Sequence, residues 1–320
     1  MRSLLALLGL FVSLQSAAWA QDFPSKNVTI VVPFAPGGAS DIMARAVGQK
    51  LSEKWKQPVI IDNRPGASTT TGTAHAATQP PDGYTMLLAP LPFVIMPNVY
   101  KNLKYDVLKD FRAASVIAYY PLVTVVNAAS PIKDLKGLFD HIRANPGAAY
   151  ASVGPGSSPH PLSAFMSKEE NLNTVHVPYR SGGQVMADLI TGRVLFYSGP
   201  STEVLPQIQS GKLKPIAVLS ETRMKQLSNV PTSVEQGFKK FVGSSWSSIQ
   251  VPAKTPQAVI DKINADVGAV VKDPSFRDKL EEQGAQFLSV TAPQAQEFIV
   301  KESKLWEPMV KASGIEPPNN

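Results

Sequence analysis

Apolar positions along the chain follow two alternating spacings. Short runs of consecutive apolar and β-branched residues, of which 28–32 is the clearest, indicate buried strands. Stretches in which apolar residues recur every three or four positions, such as Met43, Val47 and Leu51, indicate helices with one buried face. Strand-like and helix-like stretches alternate along the whole chain, which predicts an α/β architecture.

The same pattern gives approximate bounds. The predicted strands cover residues 28–32, 58–62, 84–89, 114–118, 122–126, 148–153, a strand beginning at 175, 194–198, 213–219 and 244–251. After the helix that carries Met43, the predicted helices cover residues 74–77, 132–144, 162–168, 185–191, 203–210, 232–237, 256–271, 274–283 and 292–313.

A turn of proline and glycine, Pro36-Gly37-Gly38, joins the first strand to the first helix. Glycine tolerates the positive φ angles of tight turns and lets a ligand approach the backbone. A glycine-rich turn at a helix start also presents free N–H groups at the positive end of the helix dipole, which suits a small anion. An ordinary strand-to-helix turn explains the same residues, so both interpretations stay open.

Similar loops, rich in Gly, Ser and Thr, follow other predicted strands at residues 63–72, 154–160 and 179–183. Ligands of open α/β sheets bind beyond the carboxyl ends of the strands, so such loops are expected to form the walls of one cleft. Residues 90–97 are unusually apolar for a loop and belong either to the local core or to an apolar wall of that cleft.

Residues 1–20 have the pattern of a secretory signal peptide: Arg2, an apolar run over 4–14, and the cleavage motif Ala18-Trp19-Ala20. The apolar run is too short to cross a membrane. The chain has no cysteine, which excludes disulfides, thiol nucleophiles and cysteine metal sites. We therefore expect a mature protein of 300 residues in an exported compartment, the bacterial periplasm.

Composition limits the partners. The formal net charge is +6, but the lysines and arginines are scattered along the chain, so nucleic-acid binding is not expected. A mild positive field either helps to collect anions or serves solubility alone. A hydrophobic content of 43% supports a real core, and the length suits two domains or one large one.

Eight motifs spread over the mature chain carry a family resemblance. They lie at residues 30–41, 62–67, 81–85, 105–111, 154–160, 176–180, 230–237 and 246–256, and include Pro33-Phe34-Ala35-Pro36-Gly37-Gly38 and Asn63-Arg64-Pro65-Gly66-Ala67. In order and spacing they resemble the Bug-type solute-binding receptors of tripartite tricarboxylate transporters. The resemblance implies a two-domain periplasmic binding-protein fold of the type II-like class, with the ligand cleft between the domains.

The resemblance also implies domain bounds and partners. Residues 21–122 and 249–320 would form the first domain and 123–248 the second. The protein would be a monomer without catalysis, cofactor or metal. It would deliver a small carboxylate to the membrane components of a transporter.

Ligand contacts are implied as well. In the first domain they are Phe34, Gly37, Gly38, Ala39, Gly66, Ala67 and Ser68. In the second domain they are Gly156, Ser157, Ser158, His160, Tyr179, Arg180, Tyr197 and Ser198.

Three departures from the family pattern bear on the ligand. The run 195–199 carries no acidic residue, which makes an amino-acid ligand less expected; residues 90–94 are apolar; and Pro161 stands where the family commonly has Leu. Together they favour a dicarboxylate with an apolar body, among them an aromatic acid of the phthalate type. Core packing explains the same residues.

Several single residues keep two interpretations. Ser157 and His160 suggest an exported hydrolase of carboxylate esters as the rival function, although no G-x-S-x-G motif is present. A ligand-sensing accessory protein would use the same cleft. Asp41, Arg64 and Arg180 are each either structural or in contact with the ligand.

Overall fold

The computed structural model describes residues 23–154 and 156–315, apart from the side chain of Lys279. The predicted signal peptide, residues 1–20, lies outside the described residues. No helix within the described ranges combines the length and the apolar character needed to cross a membrane.

The described residues form nine strands and ten α-helices. The strands are β1 (Val28–Val32), β2 (Val59–Asn63), β3 (Thr85–Pro90), β4 (Phe111–Asn127), β5 (Ala148–Ser152), β6 (Thr174–Pro178), β7 (Phe196–Pro200), β8 (Leu213–Leu219) and β9 (Ser244–Pro252). The helices are α1 (Ala39–Trp55), α2 (Thr70–Ala77), α3 (Pro92–Ile95), α4 (Leu135–Ala144), α5 (Pro159–Glu169), α6 (Gly182–Ile190), α7 (Ser201–Gln209), α8 (Gln257–Lys272), α9 (Pro274–Glu282) and α10 (Ala292–Ser313).

All nine strands are hydrogen-bonded into one sheet with the order β2-β1-β3-β9-β4-β7-β5-β6, and β8 also pairs with β4. At one end β2, β1 and β3 are parallel, and at the other end β7, β5 and β6 are parallel. Strands β4 and β9 lie between these groups and pair antiparallel with their neighbours. The sheet therefore has a parallel half on each side of two antiparallel strands.

Strand β4 runs through both halves. It pairs with β9 from Phe111 to Pro121 and with β7 and β8 from Leu122 onwards. The sequence predicted two strands here, 114–118 and 122–126, but the structure has one strand of 17 residues. The change of partner falls at Pro121, where a residue without a backbone N–H weakens the ladder least.

The buried apolar residues form three clusters. One lies under α1 and α8 and includes Ile30, Val47 and Ile263. A second lies in the other half and includes Leu189. The third cluster joins residues from all three segments of the predicted domains, 21–122, 123–248 and 249–320. It contains Phe93, Leu138, Phe196 and Trp306.

Two local expectations change. Residues 90–97 are not a plain loop, because α3 is followed by a 3₁₀ turn, Met96–Asn98, and the side chains of Phe93 and Met96 are buried. The predicted helix over 232–237 is wrong, because Thr232 forms an isolated bridge to Val218 and turns follow it. The reciprocal capping bonds between Thr232 and Glu235 are present, but Gly237 adopts a φ of +92° and ends the turn before a helix can continue.

Candidate functional site

A cleft with a volume of about 320 Å³ opens between the two parallel halves of the sheet. Its walls follow the carboxyl ends of β1, β2, β3, β5 and β7, as expected for ligand sites of α/β sheets. The lining residues are Phe34, Ser40, Ser68, Thr69, Pro90, Leu91, Pro92, Val153, Gly156, Ser157, Ser158, Pro159, Pro200, Glu203 and Ser245.

The loop between β1 and α1 is held in shape by Asp41. The Asp41 carboxylate accepts hydrogen bonds from Gly37 N–H, Arg45 Nε and Asn63 Nδ2, each at 2.9 Å. The hydrogen bond from Arg45 and then that from Gly37 lower the pKa of Asp41 to about 2. Asn63 also donates to Phe34 O at 3.1 Å. Asp41 is thus fully engaged inside the loop, which favours a structural role over contact with an anion.

Helix α1 begins beside the cleft. Its N-cap is Gly38, and no side chain caps it. The first N–H groups of a helix have no acceptor within the helix, and here they lie in the segment that contains Ala39 and the cleft residue Ser40. This end of the cleft therefore offers backbone donors to an anion.

The loop between β2 and α2 adopts an unusual backbone. Gly66, Ala67, Ser68 and Thr69 all have positive φ angles, of 140°, 42°, 51° and 85°. Three consecutive residues with side chains in this region imply local strain, which folded proteins keep mainly at functional sites. Ser68 and Thr69 line the cleft, and the buried Oγ1 of Thr69 has no hydrogen-bond partner among the described residues.

The loop between β5 and α5 forms the opposite wall. Gly156 has a φ of +83°, and a Cβ atom placed there would lie 2.5 Å from Cε of Met96. The Ser157 hydroxyl donates to Gly154 O at 2.6 Å, and Ser158 is the N-cap residue of α5. Two helix starts, those of α1 and α5, therefore border the cleft on opposite sides.

His160 lies behind this wall and does not line the cleft. Its ring stacks on that of His176 with the centroids 3.6 Å apart, and its Nδ1 has no hydrogen-bond partner among the described residues. Burial, and then the neighbouring His176, lower the pKa of His160 to about 4. His176 Nε2 is hydrogen-bonded to Ser152 Oγ at 2.7 Å. Because the Ser157 hydroxyl donates to a backbone carbonyl, the two histidines do not form a serine–histidine pair with it.

Four further predicted contacts also lie outside the cleft lining. The Tyr179 hydroxyl donates to Asp188 at 2.8 Å, and Arg180 is exposed. Tyr197 is fully buried, and the Ser198 hydroxyl is buried against Thr124 Oγ1 at 3.0 Å. The structure thus brings together Phe34, Ser68, Gly156, Ser157 and Ser158 in one lining, with Gly37, Gly38, Ala39, Gly66 and Ala67 on the same loops.

Glu203 is the acidic residue among several cleft-lining residues that were not predicted from the sequence; the others are Ser40, Thr69, Val153, Pro159, Pro200 and Ser245. Glu203 lies in the first turn of α7, directly after β7, and its carboxyl group accepts a hydrogen bond from the Tyr197 hydroxyl at 2.5 Å. Burial raises the pKa of Glu203, while the bond from Tyr197 acts in the opposite direction. The run 195–199 carries no acid, but helix α7, which follows it, supplies one to the cleft. The signal in the sequence was that Glu203 follows shortly after the end of a predicted strand.

Among the described residues that line the cleft, Glu203 carries the only charged side chain. Arg64 is paired with Asp62 at 2.6 Å and does not reach the lining. An anionic ligand would therefore be held by backbone N–H groups and hydroxyls, against apolar walls formed by residues such as Leu91 and Pro200.

Comparison with known proteins gives consistent results. The family model of the tripartite tricarboxylate transporter family receptor, TctC, matches residues 43–315. Protein BugT of Bordetella pertussis is 31% identical over 320 residues, which cover 98% of each chain. The structure of the periplasmic binding protein BugD has a TM-score of 0.76 at 30% identity, covering 92% of this chain and 99% of that one. An R. palustris protein solved with adipate has a TM-score of 0.78 at 30% identity, covering 92% and 100%.

Proposed function

The chain belongs to the tripartite tricarboxylate transporter receptor family, a family of periplasmic solute-binding receptors, and we propose that it captures a small dicarboxylate. The receptor would close over this ligand and deliver it to the membrane components of a tripartite transporter. Ligand contacts from both sides of the cleft would stabilise the closed form.

One observation carries this proposal: each side of the cleft offers small hydroxyl residues, and the start of α1 adds free backbone N–H groups on one side. Ser40, Ser68 and Thr69 on one side would hold one carboxylate. Ser158 on the other side would hold the second, because the Ser157 hydroxyl already donates to Gly154 O and the first turn of α5 contains two prolines, which have no N–H. The similar R. palustris protein was solved with adipate, which has a carboxylate at each end.

The apolar lining would contact the body of the ligand. Phe34, Leu91 and Pro92 provide a wall without hydrogen-bonding side chains. Such a wall accepts either an aliphatic chain or an aromatic ring, so acids of the adipate and phthalate types are both candidates.

We further propose that the protein is a monomer without catalytic activity, exported to the periplasm by residues 1–20. The domains would comprise 21–122 with 249–320, and 123–248. The hydrolase alternative needs an activated serine, whereas the Ser157 hydroxyl donates to Gly154 O.

A thermal-shift screen of the protein without residues 1–20 tests the function. The panel contains mono-, di- and tricarboxylates, aliphatic and aromatic, together with amino acids. A ligand that binds only the folded state at about one hundred times its Kd adds about 2.7 kcal/mol to the free energy of unfolding and raises the melting temperature.

We expect a clear shift with acids that carry two carboxylates and none with monocarboxylates. Protein that has been unfolded and refolded serves as the control, because it carries no co-purified ligand. Refolded protein that responds to no carboxylate contradicts the proposal, and ester turnover lost in Ser157→Ala would favour the hydrolase.

A further inference from the structure

One histidine contacts both ends of the loop between β5 and α5, which forms a wall of the cleft. His176 lies on β6, is half-buried and does not line the cleft. Its Nε2 is hydrogen-bonded to Oγ of Ser152, the last residue of β5, at 2.7 Å. Its ring stacks on that of His160, in the first turn of α5, with the centroids 3.6 Å apart. His176 therefore holds the loop where it begins and where it ends.

A chain of hydrogen bonds leads from Ser152 to the cleft. The Gly154 N–H donates to Ser152 Oγ at 3.1 Å. Gly154 O in turn accepts from the Ser157 hydroxyl at 2.6 Å and from the Ser157 N–H at 3.3 Å. The His160 N–H then donates to Ser157 O at 3.2 Å. Because Ser157 and its neighbour Ser158 line the cleft, this chain sets the position of cleft residues.

The hydroxyl of Ser152 needs a second partner to hold this arrangement. A serine side chain has three staggered rotamers, and in the observed one its Oγ accepts from the N–H of Gly154, which has a φ of +98°. The hydrogen bond to His176 fixes that rotamer. The imidazole ring is itself held, because it stacks on His160 and also on Tyr150, at 5.1 Å. Burial lowers the pKa of His176, so the ring is uncharged at neutral pH and fits this stack.

We propose that His176 is a positioning residue for ligand binding: through Ser152 it presets the loop between β5 and α5, so that Ser158 meets the ligand carboxylate. This inference rests on the proposed function and adds to it a residue outside the cleft on which affinity depends. A loop that is ordered before the ligand arrives loses less conformational entropy on binding, which raises the affinity.

Calorimetric titration of refolded protein with adipate, and with the other dicarboxylates of the panel, tests the proposal. His176→Phe keeps a flat ring that can stack on His160 but has no nitrogen for Ser152. Ser152→Ala removes the other partner of the same hydrogen bond. We expect each variant to bind the dicarboxylates about tenfold more weakly than the wild type. The double variant should bind no more weakly than the weaker single variant, because both substitutions break one hydrogen bond.

Two further variants separate positioning from general stability. His176→Gln keeps an amide group that can bond to Ser152 and is expected to recover most of the affinity. Thr174→Val is the matched control, because Thr174 Oγ1 donates to Ser167 Oγ at 2.9 Å and joins the same two elements, β6 and α5, at the end away from the cleft. We expect Thr174→Val to bind as the wild type even if its free energy of unfolding decreases.

Hydrogen exchange of the ligand-free protein, measured by mass spectrometry, follows the loop without any ligand. Peptides that contain Gly154 and Ser157 should exchange about tenfold faster in His176→Phe and Ser152→Ala, because the N–H groups of the loop are less protected. The same peptides should exchange at the wild-type rate in Thr174→Val. The loop between β1 and α1 should be unchanged in all variants. If His176→Phe does not refold, Ser152→Ala and His176→Gln carry the same comparison.

Variants that bind dicarboxylates like the wild type overturn the inference, and so does a double variant whose loss is the sum of the two single losses. Wild-type exchange of the loop in both single variants overturns it as well. In these cases carboxylates still bind the wild type, so the proposed function stands. If no acid of the panel binds refolded wild-type protein, the proposed function fails and this inference fails with it, whatever the exchange rates.

Discussion

His160 makes the stability of the folded protein depend on pH. Its ring is buried on that of His176, and both pKa values are lowered, that of His160 from 6.5 to about 4. Above pH 6.5 His160 is neutral in both the folded and the unfolded chain, so it does not make the free energy of unfolding depend on pH. As the pH falls from 6.5 toward 4, the unfolded chain takes up a proton that the folded chain refuses, so the free energy of unfolding decreases.

We predict that protonation linked to His160 lowers the free energy of unfolding of the wild-type protein by roughly 3 kcal/mol or less over this pH range, since one pKa unit corresponds to about 1.4 kcal/mol. His160→Gln, which cannot titrate, should show a smaller decrease between pH 7 and 4.5. Urea unfolding at several pH values measures this. The reference is His141→Gln, since His141 lies outside the stacked pair. Identical pH slopes for wild type and His160→Gln would contradict the prediction.

At the residue scale the sequence indicated the backbone-rich loops but not the acid. Gly37, Gly66 and Gly156 stand out because glycine marks turns, and all three have positive φ angles. Tyr197 and Glu203 do not stand out. Which face of β7 looks into the cleft depends on pairing with β4, and a short-range pattern does not contain that pairing.

Helix α10 is joined to β9 through a buried carboxyl group. Glu302 accepts hydrogen bonds from the indole N–H groups of Trp246 and Trp306, both at 2.9 Å. Burial raises the pKa of Glu302. An uncharged acceptor at this position should therefore serve nearly as well as the acid.

We predict that Glu302→Gln changes the free energy of unfolding by less than about 1 kcal/mol, because the amide oxygen still accepts from the indoles. Glu302→Leu leaves two buried donors unpaired and should cost about 2–4 kcal/mol. Urea unfolding of both variants provides the measurement. Equal losses in the two variants would show that charge or volume, and not hydrogen bonding, holds this contact.

At the element scale, periodicity located nearly every helix and strand, because each has its own buried face. The prediction from periodicity failed where a strand changes its pairing partner. The two predicted strands around Pro121 are one strand that exchanges β9 for β7 and β8. The capping signal of Thr232 and Glu235 was real, yet a left-handed Gly237 followed too soon for a helix.

At the scale of the whole molecule, the family and the two-domain solute-binding fold could be predicted because the motifs are spread over residues 30–256. The domain bounds remain a prediction. The cluster that joins Phe93 and Leu138 to Trp306 shows that the halves also pack against each other through α10. Such long-range packing is set by the assembled fold and not by any one segment.

The loops that follow β3 and β5 meet across the cleft. Gly156 follows β5 and Met96 follows β3, so they lie on opposite sides of the cleft and nevertheless touch. A side chain at Gly156 would meet Met96, which is 1% exposed and has little room to move. We expect Gly156→Val to hold the two sides apart and to weaken ligand binding by about tenfold or more.

The matched control is Gly147→Val. Gly147 has a φ of +88° but no neighbour within 4 Å of an added Cβ, so this variant bears the backbone strain without the contact. Both variants should lose similar stability, and only Gly156→Val should bind ligand weakly and stay more expanded in small-angle scattering with ligand present. If both variants bind equally well, the contact between Gly156 and Met96 does not control closure, and the opposing loops close over the ligand independently of it.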